Sequence, residues 1–267
     1  MTVSNYHTHT RFCDGKNTPE EVALKAIECG VEILGFSAHG YTPFDLRYCM
    51  KDEAGYIKEI NRLKEKYKDK IEILLGVEED AFSLTDRGKY DYIIGSSHYS
   101  FKNGVYYPID SGIDYFKKCL EAWEGDYLSF AEDYFCKFTE YISSRRPDII
   151  GHFDLITKFD EVSGFAIGED AEYMKIAEKY TKEALRSECV FEINTGAITR
   201  GYRKSPYPYK NLLHIIKREG GRVILNSDSH AQDTLTAYFE EAKALLSDIG
   251  FKNVSVLTGA GFREEDL

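Results

Sequence analysis

The stretch Val3-Ser4-Asn5-Tyr6-His7-Thr8-His9-Thr10 is followed by Thr18-Pro19-Glu20-Glu21-Val22-Ala23-Leu24-Lys25-Ala26-Ile27 and then by Glu32-Ile33-Leu34-Gly35-Phe36-Ser37-Ala38-His39. The first and last segments have the apolar character of strands, and the middle one is a helix. Thr18 precedes a proline at the first helical position and a glutamate three residues on, which is how a capped helix begins. Val22, Ala23, Ala26 and Ile27 then recur at helical spacing and are expected to face a sheet. Short strands separated by such helices predict a parallel α/β protein.

The alternation continues along the chain. Strand-like runs at residues 3–7, 32–37, 71–76, 90–96, 148–151, 189–194 and 222–226 predict seven strands. Beyond the first helix, others are expected over residues 52–68, 114–121, 130–143, 170–186, 209–218 and 234–247. The stretch from Ser100 to Phe130, rich in Tyr, Gly and Asp, breaks the rhythm and is expected to be an insertion or a lid over one face. With 267 residues the chain fits one α/β barrel, so residues 1–267 are taken as a single domain.

Forty-five acidic residues against 34 basic ones leave a net charge of −11. That argues against a surface that coats nucleic acid, while leaving room for a local basic pocket. Neither a secretory leader nor a run near the roughly 18 apolar residues of a membrane helix is present, so a cytoplasmic protein with no membrane association is expected. The six cysteines (Cys13, Cys29, Cys49, Cys119, Cys136 and Cys189) form no C-x-x-C pair and read as reduced, mostly buried thiols.

The histidines carry the functional signal. His7 and His9 end the first strand, and His39, His98 and His152 stand just past the second, fourth and fifth. Glu78 follows the third strand, and Asp228 and His230 follow the seventh. In a parallel barrel the C-terminal ends of all strands open onto one face, so these residues converge. Neutral imidazoles with carboxylates form a donor set for Zn, Fe, Mn or Co. Alternation along a strand puts His7 and His9 on the same side. His214, in the middle of the helix over 209–218, has no strand end near it and is expected to be an ordinary helix residue. Cys13, close to the candidate ligands, is expected to be a small buried thiol.

Seven motifs in order (His7-Thr8-His9-Thr10, Phe12-Cys13-Asp14-Gly15, Ser37-Ala38-His39, Gly76-Val77-Glu78, Gly95-Ser96-Ser97-His98, Gly151-His152-Phe153-Asp154 and Asn226-Ser227-Asp228-Ser229-His230) resemble those of the polymerase-and-histidinol-phosphatase family of phosphoesterases. The resemblance spans essentially the whole chain. It implies a distorted seven-stranded (β/α) barrel with the metal site at the C-terminal ends of the strands. It also implies two or three divalent ions. His7, His9, Glu78 and Asp228 would hold one; Glu78 would bridge to a second held by His98 and His152; Asp14, His39 and His230 would hold a third. Many relatives have a histidine where Gly15 stands, so Asp14 supplies the oxygen donor instead. Ala38 stands where relatives often carry an acidic residue.

What the resemblance implies for chemistry is metal-dependent hydrolysis of a small phosphate monoester, with Glu78, Asp228 and His230 as the catalytic residues. Lys158, six residues after His152, matches a phosphate-binding arginine of relatives. Arg200 and Arg203 lie in the loop from Asn194 to Pro208, which resembles the corresponding loop of the histidinol phosphatases. That loop implies L-histidinol phosphate as substrate and a step of histidine biosynthesis; another small phosphate, such as a nucleotide, is the alternative. Asp45, Asp110 and Asp160 are open candidates for the cationic end of the substrate. Amide hydrolysis on a related barrel is disfavoured, because strand four ends in Ser96-Ser97-His98 where such sites carry a carbamylated lysine. A metal-binding scaffold and a DNA-repair nuclease are disfavoured by the complete donor set and by the absence of Lys/Arg runs.

Overall fold

The structure, a computed structural model, describes residues 2–267. Seven parallel strands form one sheet: β1 (Ser4–Asn5), β2 (Ile33–Phe36), β3 (Glu72–Asp80), β4 (Tyr92–Ser96), β7 (Ile149–Ile150), β8 (Val190–Asn194) and β9 (Val223–Asn226). Between β4 and β7 lies an antiparallel hairpin of β5 (Tyr99–Lys102) and β6 (Val105–Pro108). A second hairpin, β10 (Asn253–Thr258) with β11 (Gly261–Asp266), ends the chain. The longer helices are α1 (Pro19–Glu28), α2 (Glu53–Tyr67), α3 (Ile113–Ala122), α4 (Tyr127–Arg145), α6 (Ala171–Leu185), α8 (Lys210–Arg218) and α9 (Phe239–Ile249), with single turns at α5 (Asp160–Ser163) and α7 (Gly196–Thr199).

The sheet closes on itself. Thr8 and Ser229 form a parallel bridge; His9 N donates to the Ser229 carbonyl at 2.8 Å and Ser229 N to that of His7 at 2.9 Å. The barrel interior is filled by Tyr6, Ile33, Leu74, Tyr92, Ile94, Ile149, Val190 and Ile224. Tyr92 needs glycine neighbours: a Cβ on Gly35 or Gly76 would lie 2.2 Å from its ring or hydroxyl. Val256 and Leu257 of β10 complete this core, and the Tyr6 hydroxyl donates to the Leu257 carbonyl at 2.9 Å. One end of the barrel is thus packed shut. The opposite end, where the strands finish, is left for the polar residues.

Local chemistry explains the elements. Thr18 and Glu21 form the expected reciprocal cap on α1, with Val22, Ala23 and Ala26 buried against the sheet. The first strand is shorter than expected because the Asn226 side chain takes the Tyr6 amide and the Asn5 side chain takes that of His7, in place of ladder partners. The third is longer: it runs to Asp80, so Glu78 lies inside the strand and not beyond it. Asp126 caps α4 and starts it at Tyr127, earlier than expected. The α9 helix begins later, after a turn at 232–234. The irregular stretch proves to be the β5–β6 hairpin followed by α3. Asn103 and Gly104, both at positive φ, form its turn, a dipeptide well suited to a tight hairpin. Among the described residues no helix is long and apolar enough to cross a membrane, and Cys49, Cys119 and Cys189 are buried free thiols.

Candidate metal centre

At the open end of the barrel, four overlapping groups of donors lie close enough to share ions: His9, Asp14, His39 and His230; His7, His9 and Glu78; His7, His152 and Asp228; His39, Glu78 and His98. Together they contain all nine metal ligands expected from the sequence. Each donor reaches the centre from a strand end or the turn behind it. Glu78 is the hub. Its Oε1 stands 3.0 Å from His152 Nε2 and 3.2 Å from His98 Nε2; its Oε2 stands 2.8 Å from His39 Nδ1 and 3.2 Å from His7 Nε2. Asp228, held at a positive φ of 47°, puts Oδ1 3.2 Å from His9 Nε2. Asp14 lies 3.4 Å from His230 and 3.6 Å from His39.

These spacings suit a common ion. Donors about 2.1 Å from a tetrahedral metal are roughly 3.4 Å from one another. The orphaned atoms agree: His7 Nε2, His9 Nε2 and Glu78 Oε2 are buried and have no hydrogen-bond partner, yet all point into the cluster. Buried polar groups rarely go unpaired without a ligand between them. Burial, with His230 and His39 alongside, pushes His9 down to about 3, leaving a neutral imidazole with a lone pair to give. Burial works against ionising Glu78 and Asp228, but the neighbouring imidazoles, with Arg200 beside Asp228, hold both carboxyls well below their usual range.

Two residues overlooked in the sequence aim the ligands. Glu192, on β8 and fully buried, accepts His7 Nδ1 at 2.6 Å, the His152 amide at 2.8 Å and the side chains of Asn194 and Asn226 at 2.9 Å. A proton fixed on His7 Nδ1 leaves Nε2 free to bind metal. Asp80 does the same for His98: its carboxylate accepts the backbone amide at 2.9 Å and lies 3.3 Å from Nδ1. Glu192 was visible as an acid inside an apolar strand; Asp80 lay past the expected end of the third strand, and only the observed β3 puts it on the same side as Glu78. A third overlooked group, Tyr48, packs edge-on to His39 at 4.7 Å; it sits in a loop with no strand register to place it.

A cavity of about 350 Å³ opens above the cluster, its walls including Arg47, Tyr99, Asp110, Lys158, Arg200 and Tyr202. Arg200 donates from Nη2 to Asp228 Oδ2 at 2.8 Å and lies 3.2 Å from His230 Nδ1. Lys158 reaches across to the Asp110 carbonyl at 2.8 Å and its carboxylate at 3.2 Å. Arg203 requires a correction. It does not line this cavity; its side chain is buried beneath the loop from Asn194 to Pro208, against Tyr207 and Tyr209. Asp160 also lies away from the cavity, bonded to the Gly168 amide at 2.6 Å. Asp45 is engaged by Arg47 and the Tyr99 hydroxyl. Cys13 Sγ lies 3.5 Å from His9 Nδ1, outside the donor groups, and burial beside Asp14 pushes its thiol up to about 12. His214 is exposed on α8.

Fold and site together define a metal-binding (β/α) barrel with four overlapping groups of donors. The PHP domain model matches residues 5–196, and the chain belongs to that family. Asp228 and His230 lie beyond the matched stretch and complete the same cluster. The chain is 27% identical to the probable histidinol-phosphatase of Schizosaccharomyces pombe, over 96% of this chain and 90% of that protein. It is also 27% identical to the histidinol-phosphatase of Lactococcus lactis, over 97% and 96%. The crystal structure of histidinol phosphate phosphatase from Lactococcus lactis, complexed with zinc, L-histidinol and phosphate, superposes with a TM-score of 0.73 at 21% identity, covering 98% of this chain and 99% of that one. This last likeness establishes the fold.

Proposed function

We propose that the chain is a metal-dependent phosphoric monoester hydrolase that converts L-histidinol phosphate to L-histidinol and phosphate. The observation that carries the reading is the convergence of nine donors, several with orphaned lone pairs, at the floor of a cavity sized for a small molecule. Relatives spanning nearly the whole chain bear the histidinol-phosphatase name, and one solved relative holds zinc with L-histidinol and phosphate.

His7, His9, Glu78 and Asp228 would hold one divalent ion, Glu78 with His98 and His152 a second, and Asp14, His39 and His230 a third, with His9 at its edge. Bound ions of this kind (Zn, Fe, Mn or Co) supply positive charge for a phosphate dianion and make water acidic enough to act as nucleophile near neutral pH. The chain's own groups do the rest. Glu78 and Asp228 keep the imidazoles oriented and neutralise part of the centre's charge. His230, a quarter exposed at the cavity edge, stands nearest to solvent among the histidines of the donor cluster. Arg200 offers a guanidinium beside Asp228 for phosphate oxygens. Lys158 adds a second cation from the facing wall.

Of the three carboxylates open from the sequence, Asp110 is the one that stands on the cavity wall; Lys158 engages one of its oxygens and leaves the other to accept the substrate's cationic end. Changing Asp110 to Asn is expected to raise KM for histidinol phosphate roughly tenfold. Inhibition by inorganic phosphate should stay as it was, and steady-state kinetics with both ligands checks this. The wider test is phosphate release by metal-loaded protein from histidinol phosphate, nucleotides and sugar phosphates. Histidinol phosphate should give the highest kcat/KM; a value no better than the panel median would remove it as the substrate.

A further inference from the structure

Arg203 has no exposed side-chain surface. Its guanidinium lies 3.7 Å from the Tyr209 ring centre and 4.3 Å from that of Tyr207. Nη1 donates to Thr157 Oγ1 at 2.9 Å, Nη2 donates to the Pro206 carbonyl at 3.3 Å, and the Asp154 carboxylate stands 3.9 Å away. Asp154 also accepts the Tyr209 amide at 2.9 Å, and the Tyr207 ring meets the His152 imidazole edge-on at 6.1 Å. Outside its own loop, Arg203 therefore bonds to the turn 152–158. That turn carries His152 at one end and Lys158 at the other. Burying a charge is unfavourable unless it is paired and bonded, and a planar guanidinium fixes direction in a way that an ammonium cannot.

We infer that Arg203 is a positioning residue: it clamps the 152–158 turn to the loop from Asn194 to Pro208 and so sets how His152 faces Glu78. The inference rests on the metal-dependent reading of the cavity. Arg203→Lys keeps the charge and loses the fork. Because a lone buried Asp154 can unfold the chain, the double variant Arg203→Met with Asp154→Asn removes both charges together. Zinc affinity is measured on each by chelator competition, alongside kcat and KM for phosphate release and inhibition by inorganic phosphate. The expected result is zinc affinity about ten- to a hundredfold weaker, as when groups that orient metal ligands are removed, with kcat falling in step and phosphate inhibition of the loaded protein unchanged. Unchanged zinc affinity with only a lower thermal midpoint would overturn the inference, and so would weaker phosphate inhibition at unchanged zinc affinity. Weakened zinc binding in a protein inert toward histidinol phosphate would support the clamp and refute the substrate instead.

Discussion

Replacing Glu78 with Gln is expected to reduce kcat/KM by roughly 10³-fold or more and to lower the number of metal ions that the purified protein retains. The reason lies in its position. Both of its oxygens are in use, Oε1 toward His98 and His152 and Oε2 toward His7, His9 and His39, so five imidazoles share a single carboxylate. Glutamine keeps the shape but offers one neutral oxygen and an amide that donates where metal must bind. The loss is therefore both of charge and of lone pairs. Metal analysis and phosphate release on the same sample provide the check. Full metal content with undiminished rate would remove Glu78 from the centre.

A change at Glu192 acts by a different route. Glu192→Ala should lower stability by about 3–5 kcal/mol, because four buried donors lose one acceptor together. For a chain of this size that corresponds to a fall in the thermal midpoint on the order of 10 °C. Metal affinity should weaken about ten- to a hundredfold, since His7 would no longer be held in the tautomer that leaves Nε2 free. Glu192→Gln retains an acceptor but introduces a donor opposite His7 Nδ1, so it should restore part of the stability and little of the affinity. Calorimetry and chelator competition separate the two effects. If both variants bound metal as the parent does, Glu192 would be only a packing residue.

The barrel was legible because its parallel strands are buried on both faces and read as short apolar runs. Each run ended in a residue that apolar packing does not call for, which made His7, His9, His39, His98 and His152 visible as a set. Glu192 was visible as an acid within a strand and Asp80 lay beyond the expected end of one, but their roles depend on which imidazole nitrogen they face, and that is a matter of three-dimensional register. Arg203 shows the opposite failure. A loop arginine near the site suggests a phosphate contact, and only the packing of Tyr207 and Tyr209 turns it inward. The β5–β6 hairpin had a clear turn in Asn103-Gly104, obscured by the polar stretch around it. The C-terminal hairpin carries no chemistry, and its purpose emerges only where Tyr6 meets Leu257 beneath the barrel.

The acidic chain and its anionic substrate are compatible because charge acts locally. Surface carboxylates several Debye lengths from the cavity are screened. The loaded centre, with Arg200 and Lys158 on the walls, would present positive charge where the phosphate must sit. The most direct measurement removes the ions from the purified protein with a chelator, restores them in known amounts, and follows both bound metal per chain and phosphate released from histidinol phosphate. The account predicts no release from the stripped protein and recovery as two or three ions return. Hydrolysis that continues undiminished with no ion bound would contradict it.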